Sequence, residues 1–429
     1  MSSLPLIARY AHRGDFVAML RSLGPGVLRF GGVSADSTGW TGSRATEPLW
    51  PATGVSREDL QALGVLAART GWRVLLTVNL AHADPRAAAS EVAAARRALG
   101  TALAGVEIGN EPDSYGRHGV RPQPWGFAQY APQVAAVWGQ IHAITPGVSL
   151  AGPDVSGSGG GAIDHWVAPE ARVEHPTLLT GHYYSLSCNN EPPPSIADLL
   201  SVQTREGMAL SLGRYMSVAR SASVPFRVDE ANNVSCGGEA GISNTFASAL
   251  WAVLFLVRAM SAGVVGVNLH GHVETCDGYS PLCAVHSTAL FGDRLRAQPE
   301  WYALLFAKPL VGDRPIRAYA YPADPVVDVS AFARPDGSLQ VVIVDTAPAG
   351  TPPAHLQLTI AGHFARAIRV ELTAPSLSAT AGVTLGGRTV SALGAWRGPR
   401  TTAADIRGQR SLAVSVPAAS AALLTLARH

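Results

Sequence analysis

The chain of 429 residues is poor in charge, in lysine and in cysteine, and each shortage argues against a class of protein. Charged residues make up only 15% and the formal net charge is +2, too small a basic excess for a protein that binds nucleic acid through phosphate contacts. Lys308 is the only lysine; the rest of the 33 basic residues are arginine, which we read as genome composition without functional weight. The four cysteines, Cys188, Cys236, Cys276 and Cys283, contain no CxxC pair, which weighs against a zinc ribbon or a thioredoxin-type site. Their even number permits two disulfides and an oxidising compartment. The longest apolar run, Ala247 to Val257, falls well short of the roughly 20 residues of a membrane span. No signal-peptide pattern opens the sequence. Gly157-Ser158-Gly159-Gly160-Gly161 fits neither phosphate-loop spacing and reads as a flexible loop. Gly147-Val148-Ser149-Leu150-Ala151 lacks the last glycine of a nucleophile elbow, so a serine hydrolase is disfavoured.

What the sequence does have is a repeated strand-and-helix texture. Short unalternating runs rich in Val, Leu and Ile, of the kind buried on both faces of a parallel sheet, occur at Val27–Phe30, Val74–Asn79, Val106–Asn110, Val148–Ala151, Leu178–His182, Phe226–Asp229 and Val264–Leu269. Between them lie helical stretches with readable ends. Asp84 is placed to cap a helix opened by Pro85, and Gly100 to stop it. From Ser243 to Ala262, Phe246, Leu250, Val253 and Val257 recur at helical spacing. These units predict an α/β fold, a (β/α)8 barrel over residues 1–309, with one strand short of eight. Met1 to Ser22 reads as a loop and a helix, so the first strand is expected to be missing from the chain. Residues 310–429 change character. Short strands separated by Gly, Pro and Asp turns, such as Pro335-Asp336-Gly337, predict an antiparallel β-sandwich.

In such barrels chemistry gathers at the carboxyl ends of the strands. Those ends supply Asp36, Asn79, Asn110-Glu111-Pro112, Asp154, His182-Tyr183-Tyr184, Asp229-Glu230, Asn268 and His270. Two glutamates on different strands, Glu111 and Glu230, suit glycoside hydrolysis, in which one carboxyl donates a proton and the other attacks the anomeric carbon. Glu107 has the parity of Glu111 and is expected to form a buried ion pair with Arg29. His270-Gly271-His272, with His182, offers a second reading as a metal-dependent barrel hydrolase, although a metal-binding pair of this kind usually lies on the first strand.

Taken together, Leu28-Arg29-Phe30-Gly31-Gly32 with Asp36, Ile108-Gly109-Asn110-Glu111-Pro112, His182-Tyr183-Tyr184, Asp229-Glu230, and Leu372-Thr373-Ala374-Pro375 followed by Gly382-Val383-Thr384-Leu385-Gly386-Gly387 resemble glycoside hydrolase family 79, the family of heparanase and the microbial β-glucuronidases. The resemblance implies a retaining enzyme with Glu111 as acid/base and Glu230 as nucleophile, their carboxyls about 5–5.5 Å apart. It implies that Asp36 and Asn110 hold sugar hydroxyls, that Tyr183 (or secondarily Tyr184) bonds the nucleophile, and that Gly237, Gly238 and Tyr279 receive a uronate carboxylate. Asn268 and His270 are expected at the pocket wall. Cys188 and Cys236 both follow strands on the catalytic face, which permits a bridge between them, and Cys276 and Cys283 could close a small loop around Tyr279; the sequence leaves the pairing open. The expected activity is exo-cleavage of β-glucuronides by a secreted or periplasmic bacterial monomer that needs no metal or cofactor and binds carbohydrate. The alternatives are a heparanase-like endo-enzyme and a carbohydrate-binding relative that has lost activity.

Overall fold

The computed structural model describes residues 4–43, 53–157, 160–284, 294–319, 321–360 and 362–428. Of the glycine-rich stretch, Ser158 and Gly159 lie outside these residues, and Gly160 and Gly161, expected to be loop, instead open a helical segment that runs on to Val173. The amino-terminal segment also departs from expectation. Two helices, α1 (Leu4–Tyr10) and α2 (Gly14–Leu23), precede the first strand and bury Ile7, Tyr10, Phe16 and Met19.

Seven parallel strands form the barrel wall among the described residues: β1 (Val27–Phe30), β2 (Arg73–Val78), β3 (Leu103–Ile108), β4 (Ala151–Val155), β5 (Leu178–Leu186), β6 (Phe226–Val234) and β7 (Val267–Leu269). Strands β1 to β3 pair in one sheet and β4 to β7 in a second, joined by the parallel bridge between Val106 and Leu150. At the seam between β7 and β1 a cavity of about 450 Å³ is lined by Val27, Trp72, Val267 and Leu269. There the Asn268 amide donates across the gap to the Val27 carbonyl at 2.7 Å. Asn268 therefore ties the seam and does not line the catalytic pocket, which corrects the role expected for it.

The helices follow the signals that the sequence carries. Asp84 accepts from the amides of Arg86 and Ala87 at the start of α4 (Pro85–Leu99), and Gly100 ends it, as expected. Helix α7 (Phe246–Ala262) is buried on nearly every side, because the barrel covers one face and the carboxyl-terminal sheet the other. That sheet orders 314–316, 327–333, 339–345, 420–427, 366–373 and 384–385 as antiparallel neighbours, and the pair 354–359 with 411–416 lies on it. Strand alternation divides its side chains between two cores. Val341 and Ile343 pack with Leu356 and Val414 inside the sandwich, whereas Val342 and Val344 join the core shared with the barrel.

Candidate active site

Four strand ends converge on one buried arginine. Arg29 points into the barrel because its neighbours Leu28 and Phe30 take the opposite face of β1. Its guanidinium folds beneath the turn that follows, where a Cβ on Gly31 would stand 2.2 Å from Arg29 Cζ, so glycine is required there. Arg29 Nε donates to Glu107 Oε2 at 2.9 Å, the ion pair expected from parity. The same guanidinium reaches Asp154 at 2.5 Å, Glu230 at 2.7 Å and Asn110 Oδ1 at 3.1 Å. One cation thus offsets several carboxylates that could not be buried without it. Burial and Asp229 push Glu107 up, against the pull of Arg29, to about 7.

Glu230 is held from three sides. Besides Arg29, the Tyr184 hydroxyl donates to Oε1 at 2.8 Å and His270 Nδ1 lies 2.9 Å from the same oxygen. Burial alone would raise its pKa, but His270, His182 and Arg29 outweigh burial and hold Glu230 well below the ordinary carboxylate range. It is an ionised, fixed carboxylate. Tyr279 extends the wall, its hydroxyl 3.2 Å from that of Tyr184.

Glu111 is held differently. The residue adopts a left-handed backbone (φ 47°), and its amide donates to the Asp154 carbonyl at 2.9 Å, so the turn after β3 is pinned to β4. Its side chain remains 26% exposed, against 7% for Glu230. One imidazole contacts it: His182 Nδ1 lies 2.8 Å from Glu111 Oε1, and His182 Nε2 lies 2.6 Å from Asp154 Oδ1. Burial would lower the His182 pKa, yet Glu230, Asp154 and Asp229 raise it well above the ordinary value, so the ring is an imidazolium. One oxygen each of Glu111 and Glu230 lie within 4.8 Å of one another, with His182 between them.

Several expected site residues fall elsewhere or act otherwise. Tyr183 is not the partner of the nucleophile strand's glutamate. Alternation along β5 sends His182 and Tyr184 inward and Tyr183 outward, where its ring stacks on Phe255 of α7 at 4.9 Å. Asp36 is engaged by the Tyr115 hydroxyl at 2.6 Å, and burial, opposed by that bond, raises its pKa to about 6. Gly237 and Gly238 form a turn with positive φ, but the Gly238 amide donates to Ser235 at 3.2 Å and the Gly237 carbonyl accepts from Tyr279, so that amide of the expected nest is already occupied. The bridges Cys188–Cys236 and Cys276–Cys283 are both formed; the first ties the segments that follow β5 and β6, and the second closes the loop that carries Tyr279.

Among the described residues two groups of three side chains have donor atoms converging as a metal would need, Glu111/His182/Glu230 and Asp154/His182/Asp229. The histidine pair that follows β7, His270 and His272, belongs to neither. His270 turns to Glu230, and His272 stacks on Tyr279 with centroids 5.8 Å apart. Sequence reasoning gave His182 only to a metal and gave no site role to Arg29 or Asp154. Inward parity was the signal available for all three.

No protein-family model matches the chain. A β-glucuronidase of Neurospora crassa is 28% identical over 233 residues, a match covering 48% of this chain and 38% of that protein. The chain thus spans well under two thirds of the curated relative it matches. Among solved structures, a 4-O-α-L-rhamnosyl-β-D-glucuronidase from Fusarium oxysporum superposes with a TM-score of 0.75 at 18% identity, covering 98% of this chain and 93% of that one. A GH51 arabinofuranosidase from Xanthomonas axonopodis pv. citri superposes with a TM-score of 0.66 at 19% identity, covering 96% and 89%. The chain is therefore similar in sequence to a glycoside hydrolase and has the barrel-plus-sandwich fold of such enzymes.

Proposed function

We propose that the protein is a retaining β-glycosidase, an exo-acting β-glucuronidase, with residues 1–309 as the catalytic unit and 310–429 as the sandwich that buttresses it. The observation that carries this reading is the spacing of Glu111 and Glu230, whose nearest oxygens lie within 4.8 Å. Retaining enzymes hold their carboxyls about 5–5.5 Å apart, whereas inverting ones need about 6.5–9.5 Å to admit water. Ionised Glu230 attacks the anomeric carbon. Glu111, more exposed, gives its proton to the leaving oxygen and then takes one from water. Asn110, beside Glu111 and fixed by Arg29, is positioned toward the sugar 2-hydroxyl. Tyr184 holds the nucleophile, and Tyr279 stands where a uronate carboxylate would be received.

The test is release of nitrophenol from 4-nitrophenyl β-D-glucuronide, β-D-glucoside and α-L-arabinofuranoside, with wild type and Glu230→Gln. Turnover of the glucuronide alone, abolished by the substitution, is expected. Preference for another sugar would keep the carboxylate pair and discard the glucuronide assignment. Turnover that survives Glu230→Gln would discard the pair.

A further inference from the structure

His182 carries its charge between two carboxyls of different accessibility, and the deeper one has no part in the reaction just described. Asp154 sits at the end of β4 with a positive φ of 60°, 1% exposed, between Arg29 and the imidazole. Resting on the reading of Glu111 as acid/base, we infer that Asp154 is a positioning residue for the second half of the reaction: by accepting from His182 Nε2–H it fixes the ring so that Nδ1–H points at Glu111 Oε1 and holds in place the carboxylate that must take a proton from water.

The geometry leaves the ring little choice. Its two nitrogens meet Glu111 at 2.8 Å and Asp154 at 2.6 Å, while Asp229 and Glu230 stand further off at 3.6 and 3.8 Å. Arg29 is bonded to both Asp154 and Glu230, Asp113 acts on the ring and on Glu111 through its charge, and the Tyr215 hydroxyl of α6 (Val202–Ala222) donates to the His182 backbone carbonyl at 3.3 Å. Asp154 Oδ1 also accepts from Arg29 Nη2 at 2.7 Å, so it is held in place as the acceptor for the ring.

The proton count closes over the cycle. In the first step the C1–O bond to the leaving group breaks, Glu230 bonds to C1, and the proton of Glu111 goes to the departing oxygen. In the second, water adds to C1, the Glu230–C1 bond breaks, and the proton lost by water goes to Glu111. His182 keeps both of its protons throughout. Its Nδ1–H holds the carboxylate that Glu111 becomes between the steps in place for the incoming water.

Asp154→Ala, assayed on 4-nitrophenyl β-D-glucuronide, whose good leaving group needs little acid help, separates the two steps. The expected result is a fall in kcat of tenfold or more with a parallel fall in KM, a pre-steady-state burst of nitrophenol, and recovery of kcat by azide, which needs no base. A fall in kcat/KM equal to that in kcat, without burst or azide recovery, would make Asp154 merely structural and overturn the inference. Should that variant not fold, nitrogen-15 NMR of the wild-type imidazoles decides the matter. Both His182 nitrogens are expected to stay protonated at neutral pH, and a ring with a bare Nε2 or Nδ1 would overturn the inference. Azide rescue of Glu111→Ala tests the underlying reading separately: its absence would sink the acid/base assignment itself.

Discussion

The two walls of the pocket hold their glutamates to different standards. Glu230 is bound by Arg29, Tyr184 and His270, and one disulfide ties the segment after its strand to the segment after β5. Glu111 has the side-chain contact to His182 and is 26% exposed. The difference matches the two tasks. A nucleophile must stay ionised and still, so surrounding it with donors lowers its pKa and fixes its position. An acid/base must gain and lose a proton in each cycle, so few fixed donors and access to water suit it.

Substitutions on the two walls should separate by size and kind. Glu230→Gln is expected to lower kcat by about 10⁴-fold or more, whatever the leaving group, as loss of a nucleophile does elsewhere. Glu111→Ala should cost about 10²–10⁴-fold on alkyl glycosides and far less on nitrophenyl ones, with azide restoring turnover. Equal losses on both substrates would erase the distinction between the walls. Tyr184→Phe removes one hydrogen bond to a charged group, worth about 1.5–3 kcal/mol, and should therefore lower kcat by about 10–100-fold with the folded state intact by circular dichroism. Tyr183→Phe, on the outer face of the same strand, should leave kcat within about twofold, since surface and packing changes without site contact act on stability alone.

The smallest effect concerns the support behind the nucleophile strand. Glu300 on α8 (Pro299–Ala307) bonds Asn232, Asn233 and Ser248, and burial, against those bonds, raises its pKa to about 8. A carboxyl with a raised folded-state pKa holds a proton that the unfolded chain releases. Its contribution is fully present below pH ~4.5 and is lost as pH rises toward ~8, at up to about 1.4 kcal/mol per pH unit. Glu300→Gln should flatten this part of a plot of stability against pH, read by urea unfolding between about pH 5 and pH 8. An unchanged slope would mean that Glu300 is ionised in the folded protein.

Much of this was legible in the sequence. Six of the seven buried runs, the capped helix at Asp84, the change to sandwich texture after residue 310 and the Arg29–Glu107 pair all rest on local rules of burial, capping and alternation; the run expected at Val148–Ala151 shares only Ala151 with β4. Strand ends were read less well. Strands β5 and β6 run on through His182, Tyr184, Asn232 and Asn233, polar residues that look like loop in a sequence and are satisfied by Glu111, Glu230, the His270 carbonyl and Glu300 once the barrel closes. In β4, Pro153 argues against a strand and is tolerated at an irregularity in register between Gly152 and Val155. Tyr183 and Tyr184 could not be ranked from adjacency, because a one-residue change of register exchanges their faces. Asn268 was misjudged because its partner, Val27, lies across the seam and far away in the sequence.

The account stands on Glu230 as the group that bonds to the sugar. Incubation with an activated 2-deoxy-2-fluoro-β-D-glucuronide, followed by peptide mass spectrometry, tests it most directly. The account predicts a covalent fluoroglucuronyl adduct on Glu230, with loss of activity in step with labelling. An adduct on any other residue, or turnover of glucuronides that yields the inverted anomer as first product, would contradict it.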